Sequence, residues 1–299
     1  VLVILGQARF FVIQDYNVLP EKNTLYVVAT PIGNLGDMSQ RAQQVLSSVD
    51  VIAAEDTRHS GKLLNYFGIS TPCIAFHEHN ERQVSESILN RLEKGESVAL
   101  ISDAGTPLLS DPGYHLVRAV HQRGLKVVPV PGASALLAAL SVAGLATDCF
   151  KFVGFLPAKS AARQLQLADL KQETCTLVFY ESPHRIVESL TDMASNLGGE
   201  RMATLARELT KTFETVKQDK LAALRDWVNA DQNQQRGELV VMVEGWQAPE
   251  RQALDEETIR VLKILVAELP VKQAAKLAAE ISGEKKNRLY QYALEHLKD

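Results

Sequence analysis

Four short apolar runs in the first part of the chain, residues 25–29, 51–54, 74–76 and 97–101, each end in a polar loop, and each loop leads into a stretch with helical spacing of apolar positions. A strand, a helix and a further strand return the chain to its first direction, so this alternation predicts the α/β class with a mostly parallel first sheet. In such a sheet the loops at the carboxyl ends of the strands open on one edge, which is where ligands bind.

The longest of these loops runs Ser102-Asp103-Ala104-Gly105-Thr106-Pro107 and on through Leu108-Leu109-Ser110-Asp111-Pro112-Gly113. Its glycines allow tight backbone approach, its prolines hold shape and its aspartates bring charge. Twelve residues of this kind are more than a plain connection requires. Residues 114–120 then resume helical spacing.

The remaining elements have readable ends. Ser39 predicts an N-cap for a helix carrying Ala42, Val45, Leu46 and Val49. A second helix through Leu63, Leu64 and Phe67 stops at Gly68, and a third through Val84, Ile88, Leu89 and Leu92 stops at Gly95. Residues 126–130 read as a strand, and Pro131-Gly132 marks a boundary before a small-residue helix over 136–143. A second α/β half follows, with strands at 152–155, 176–180, 202–206 and 238–243 and a helix at 161–170. A polar linker at 246–251 precedes a helical tail, in which 271–283 has the small-residue-then-glycine rhythm of a helix-turn-helix. The expected domains are therefore a poorly informative extension (1–22), a first α/β domain (23–130), a second (131–246) and a C-terminal helical module (247–299). The first residue is not Met and the first Met is Met38, so residues 1–20 read as an upstream extension or an unusual start.

Charge and cysteine usage exclude several classes. Lys and Arg number 32 against 36 Asp and Glu, and the net charge of −4 argues against sequence-blind polyanion binding while leaving room for a local basic face. Cys73, Cys149 and Cys175 are widely spaced, with neither zinc-ligand spacing nor a disulfide framework, which predicts a reducing compartment. No segment reaches the ~18–20 apolar residues of a membrane span, and residues 1–13 lack the basic start and cleavage site of a signal peptide. A Walker A loop, a dinucleotide glycine loop, a Gly-x-Ser-x-Gly elbow and a zinc-protease helix are absent, which counts against NTP hydrolysis, hydride transfer and those hydrolases. His77 and His79 are spaced to share a strand face beside Glu78 and Glu81, but no third His or Cys accompanies them, and no metal is expected.

Taken together, eight motifs resemble, in order, those of the ribosomal RNA ribose methyltransferases of the tetrapyrrole methylase superfamily. They are Thr30-Pro31-Ile32-Gly33-Asn34-Leu35-Gly36-Asp37, Ala54-Glu55-Asp56-Thr57-Arg58-His59, His77-Glu78-His79-Asn80-Glu81, the loop 102–113, Pro131-Gly132, Phe155-Leu156-Pro157-Ala158-Lys159, Tyr180-Glu181-Ser182-Pro183-His184-Arg185 and Arg207-Glu208-Leu209-Thr210-Lys211. The resemblance covers about Thr24 to Leu297. It implies two α/β domains with S-adenosylmethionine in the cleft between them, a cytoplasmic homodimer, and methylation of a cytidine ribose 2′-hydroxyl in the decoding region of 16S rRNA, as free RNA or in the small ribosomal subunit. The helical tail resembles the family's C-terminal module, a contact for RNA or ribosome.

By the same resemblance, Pro31, Ser102, Asp103, Ala104, Thr106 and Pro107 line the methyl donor, with Tyr180, Ala206 and Gly237 at its adenosine part. Methyl transfer is an in-line displacement, in which the enzyme aligns a ribose hydroxyl and relieves it of a proton. Glu55, Asp56 and Glu208 are the candidate acceptors, and Lys211 or Arg58 would steady the developing alkoxide or a nearby phosphate. Lys159, Arg163 and Arg185 are further candidates for RNA contact, although Arg163 follows no motif and reads as solvated surface charge. Between Val271 and Tyr292, Lys272, Lys276, Lys285, Lys286 and Arg288 against two Glu leave a local charge of +3. Two other readings stay open: a methyltransferase acting on a small tetrapyrrole, and a DNA-binding regulator that uses the tail.

Overall fold

The structure, a computed structural model, describes residues 2–5, 8–12, 20–247 and 254–297. The chain divides into two compact units, Val1–Trp246 and Gln247–Asp299. An antiparallel pair, β1 (Leu2–Leu5) and β2 (Ala8–Val12), opens the first unit. The rest of the expected N-terminal extension up to residue 19 lies outside the described residues.

The alternation expected next is present: β3 (Thr24–Val28), α1 (Gln40–Ser48), β4 (Val51–Ala54), α2 (Thr57–Tyr66), β5 (Cys73–Ala75), α3 (Glu81–Glu93), β6 (Val98–Ile101), α4 (Tyr114–Gln122) and β7 (Lys126–Val130). The strands form one sheet in the order β5-β4-β6-β3-β7, parallel throughout. Side chains alternate across it. Tyr26, Val28, Ala99 and Ile101 pack with Ala42, Val45 and Leu46 of α1, whereas Leu25, Val98 and Leu100 pack with Ile88, Leu89, Leu116 and Val120 of α3 and α4. Both faces are covered, which is why these strands read as unbroken apolar runs. Strand β5 ends at Ala75, so His77 and His79 lie in the loop beyond it and share no strand face.

The second part of this unit contains α5 (Ala135–Val142), β8 (Phe150–Phe155), α6 (Ser160–Asp169), β9 (Thr176–Glu181), α7 (Ile186–Met193), β10 (Met202–Arg207), β11 (Thr215–Lys220), α8 (Leu221–Ala230) and β12 (Leu239–Val243). Its sheet runs β11-β10-β12-β9-β8, and only β8 and β9 are parallel. Strand β12, last in the chain, lies at the centre. Strand β11 is an edge strand of sequence Thr-Val-Lys-Gln-Asp-Lys, too polar to stand out in the sequence. Helix α5 packs Leu136, Ala139 and Leu140 against Val178, Ala206, Val240 and Met242 of this sheet and against Ile32 from the loop after β3.

Two sequence expectations fail here. Cys149 and Cys175 form a disulfide, with Cα atoms 4.9 Å apart. Phe150 pairs with Thr176 at the start of the parallel β8–β9 ladder, so the residues just before them are neighbours despite the 26 positions between them. The inference of a reducing compartment loses the support of unpaired cysteines. Arg163, read as solvated surface charge, is only 1% exposed. It shares the buried face of α6 with Leu167. Its Nε donates to Asp192 at 2.7 Å and its Nη1 to the Pro157 and Ala158 carbonyls at 3.3 and 3.2 Å.

The second unit is helical, as expected: α9 (Glu256–Glu268), α10 (Val271–Ser282) and α11 (Lys286–His296). Asp255 caps α9 by accepting from the Thr258 amide at 2.7 Å, and α10 stops at Gly283 with φ 77°. Leu262, Ala275, Ala278, Leu289 and Ala293 form its core, the alanines letting the helices approach closely.

Candidate active site

The loop after β6 is stitched to its neighbours through backbone groups. The Thr30 amide donates to the Gly105 carbonyl at 2.9 Å and the Gly105 amide returns the bond to the Thr30 carbonyl at 3.0 Å. The Thr106 hydroxyl donates to the Ala133 carbonyl at 3.0 Å, and the Thr30 hydroxyl to the Ser102 carbonyl at 3.3 Å. Glu55 Oε2 accepts from the Asp103 amide at 3.4 Å, and Asp103 Oδ1 from the Asp56 amide at 3.1 Å. The ends of β3, β4, β6 and β7 thus hold one another.

Between this edge and the second sheet lies a cavity of about 490 Å³, walled by Ile32, Leu109, Phe155, Leu209 and Val240 and by the loop backbone. Five acidic residues line it, Glu55, Asp103, Asp111, Glu181 and Glu238, and among the described residues no Lys, Arg or His does. Two lining side chains, Glu181 and Ser134, are 3% and 6% exposed, and each has a buried oxygen without a hydrogen-bond partner, Glu181 Oε1 and Ser134 Oγ. Buried polar atoms normally have partners, so these two fit a polar ligand. An anionic wall fits one that carries positive charge.

The acidic groups differ in protonation. Burial pushes the Asp111 carboxyl up to about 6, aided by the Glu55 and Asp103 charges and opposed by the Ser102 hydroxyl. Burial also raises Glu55, against the bond from the Asp103 amide. Tyr180 is raised by burial, and the Asp111 charge adds to this.

Of the residues expected to bind the donor, Asp103, Ala104, Thr106, Tyr180, Ala206 and Gly237 line the cavity, whereas Pro31, Ser102 and Pro107 lie outside its lining. Ser102 is buried beneath the loop. Among the expected catalytic residues only Glu55 lines it. Asp56 is the N-cap of α2 and holds Arg58 at 2.8 Å; that bond keeps its carboxyl well below the usual range, which makes it a weak proton acceptor. Glu208 Oε1 accepts from Lys211 Nζ at 2.8 Å and from the Glu238 amide at 2.9 Å. Burial alone would raise Glu208, but Lys211 and the Glu238 amide outweigh it and lower the carboxyl; burial would lower Lys211, but the two carboxylates raise it. Lys211 also reaches Glu238 at 3.2 Å. This pair braces the loop after β10 rather than facing the cavity.

Backbone strain gathers in the same two loops. Four of the five non-glycine residues with positive φ among the described residues are Leu108, Ser110, Glu208 and Thr210. Each such conformation costs roughly 1–2 kcal/mol and persists only where its surroundings enforce it. Gly237 has φ +82°, and a Cβ there would run into the Glu208 carboxyl.

The expected RNA contacts are distributed. The Arg58 side chain is 89% exposed, Lys159 is exposed just before α6, and Arg185 pairs with Glu181 at 3.0 Å. Arg163 is withdrawn from this group by its burial. In the helical unit Arg288 pairs with Glu284 at 2.9 Å and Lys276 lies 3.8 Å from Glu280, while Lys272, Lys285 and Lys286 enter no ion pair among the described residues. Sequence reading missed Asp111, Ser134 and Glu181 as individual cavity residues, although all three stand within or beside recognisable motifs. His77 and His79 have ring centroids 6.0 Å apart, and no group of three or more metal-ligating side chains occurs among the described residues. No helix among them is long and apolar enough to cross a membrane.

Residues 24–225 match the family of tetrapyrrole (corrin/porphyrin) methylases, and residues 252–297 match the RsmI C-terminal HTH domain. Ribosomal RNA small subunit methyltransferase I from Pseudomonas aeruginosa is 61% identical over 273 residues, covering 91% of this chain and 97% of that protein. The Escherichia coli O157:H7 protein of the same name is 54% identical over 271 residues, covering 91% and 94%. Among solved structures, uroporphyrin-III-C-methyltransferase from Thermus thermophilus superposes with a TM-score of 0.52 at 17% identity, over 74% of this chain and 94% of that one. The cobalt precorrin-4 methyltransferase CbiF superposes with a TM-score of 0.53 at 16% identity, over 74% and 95%. These two likenesses concern the fold.

Proposed function

Because the chain belongs to the tetrapyrrole methylases, and within them to the ribosomal RNA small subunit methyltransferase I family, we propose that it moves a methyl group from S-adenosylmethionine to a cytidine ribose 2′-hydroxyl in the decoding region of 16S rRNA. The observation that carries the donor half of this reading is the acidic cavity. A sulfonium and an ammonium suit a wall of five carboxylate residues without a basic side chain, and the orphaned Glu181 Oε1 and Ser134 Oγ offer polar contacts. Asp103, Ala104, Thr106, Tyr180, Ala206 and Gly237 would hold the donor, which supplies an already activated methyl group. The two halves of the first unit, divided near Pro131, act as the two domains around it.

The same charge pattern favours RNA held from outside. A polyphosphate backbone is repelled by the cavity wall, so its grip comes from Arg58, Lys159, Arg185 and the basic residues of the helical unit, with one ribose presented at the mouth. A substrate of this kind argues for work in the cytoplasm with the small ribosomal subunit, and the resemblance adds a homodimer, which sedimentation of the purified protein would reveal.

Labelled S-adenosylmethionine incubated with small subunits lacking the modification tests the reading. Label mapped to a cytidine 2′-oxygen in the decoding region is expected. Donor binding without transfer to subunits or naked rRNA would overturn it in favour of a small tetrapyrrole substrate.

A further inference from the structure

We propose that Asp111 is the group that takes the proton from the ribose hydroxyl. This rests on the function proposed above. The other four cavity carboxylates are already engaged. Glu55 holds the Asp103 amide, and Asp103 holds the Asp56 amide. Glu181 holds the Ser182 amide at 2.9 Å and Arg185 at 3.0 Å, and Glu238 holds Lys211. Asp111 holds no backbone amide and enters no ion pair among the described residues. Its neighbour is the Ser102 hydroxyl, which also lies 3.3 Å from the Ala104 carbonyl. It is the lining carboxylate held by neither a backbone amide nor an ion pair among the described residues.

Its placement suits the task. Asp111 lines the cavity and stands between Ser110, held in the left-handed region, and the rigid Pro112. Glu55 from the end of β4, Asp103 from the end of β6 and Tyr180 from β9 face it, with His77 acting on Glu55 from the loop after β5. Burial, with the two facing carboxylates adding to it, holds its basicity above that of an ordinary aspartate, near the range in which a general base works best at neutral pH. The orphaned Glu181 Oε1 and Ser134 Oγ mark the same cavity as one built for a ligand. In the step, the ribose oxygen bonds to the methyl carbon and the carbon–sulfur bond breaks with its electron pair going to sulfur, leaving a neutral thioether. The hydroxyl proton passes to Asp111 and then to water.

The test uses the full chain with small subunits lacking the modification. Asp111→Asn is expected to lower the single-turnover rate at saturating donor by roughly 10²–10⁴-fold, a loss that further donor does not restore. The wild-type rate should rise with pH and then level, with its inflection at or below about 6 because the bound donor's positive charge favours the ionised carboxylate, and Glu55→Gln should move that inflection lower still, because one facing charge is gone. A readout independent of turnover is the melting temperature of the unliganded protein. The Asp111 carboxyl is raised in the fold, so the folded protein binds more protons than the unfolded chain between the ordinary aspartate range and about 6, and stability falls as pH rises through that window. Asp111→Asn should therefore melt higher than wild type at pH above about 6, with the gap closing as pH falls below the ordinary aspartate value.

An Asp111→Asn protein with near wild-type rate on a wild-type-competent substrate overturns the assignment and leaves the function standing. So does a variant whose loss lies in donor affinity alone. Wild-type label on a base rather than a ribose overturns both.

Discussion

Replacing Arg163 by Ala should unfold the first unit far more readily than a surface charge deletion would. The guanidinium is 1% exposed and its partner Asp192 is 7% exposed. Removing one member of a buried pair costs about 3–5 kcal/mol, because the other charge stays buried. Asp192 keeps the Ser160 hydroxyl and the Gln164 amide, each at 3.0 Å, which places the expected loss at the lower end, about 3 kcal/mol. At roughly 2–4 °C per kcal/mol for a domain of this size, the melting temperature should drop by roughly 6–12 °C. The Pro157 and Ala158 carbonyls also lose their donor, and they lie just beyond Phe155 of the cavity wall, so donor affinity should weaken as well. Urea titration followed by far-ultraviolet circular dichroism measures the loss. The paired change Arg163→Met with Asp192→Leu removes both charges and should recover most of it. A single variant within about 1 kcal/mol of wild type, or a double variant no better than the single, would refute the reasoning.

Other perturbations probe the site and the tail. Gly237→Ala forces a side chain into φ +82° and against Glu208; a strain of roughly 1–2 kcal/mol should weaken donor binding by about tenfold in calorimetry. Gly283→Ala meets no atom within 4 Å, so its cost is that of an L-residue at φ +77°, roughly 1–2 kcal/mol, read as faster hydrogen exchange at the end of α10. Lys285→Ala and Lys286→Ala should each weaken subunit binding and make the logarithmic salt slope of the association constant shallower by about 0.7–0.9 for every phosphate left unneutralised; an unchanged slope would remove them from the RNA interface.

The first sheet was legible in the sequence because its strands are buried on both faces and its helices carry their own caps, as at Ser39, which accepts from the Ala42 amide at 3.1 Å. The edge of the sheet was legible too, since parallel strands send their loops to one side. What spacing could not convey was partnership. Asp103 and Asp111 look alike in the loop, and only the fold shows that one is occupied by an amide and the other is not. Arg163 resembles any helical arginine until Asp192, 29 positions on, is seen to meet it. The cysteine pair depends on the neighbouring of β8 and β9, which no periodicity encodes. The position of β12 belongs with these, because strand order in a mixed sheet follows from packing rather than from order in the chain.

That position bears on how the protein comes into being. Until residues 239–243 have been synthesised, the second sheet exists only as two detached pairs, β8 with β9 and β10 with β11, each with an open edge. Open edges invite pairing with other chains, and a chain emerging at about 5–20 residues per second carries them through the whole interval between β10 and β12. Because the cavity wall extends from Ile32 to Val240, the cavity is incomplete before then. A ligand held in the completed cavity, stabilising only the folded form, would thus reach the nascent protein only after the stage with open sheet edges has passed.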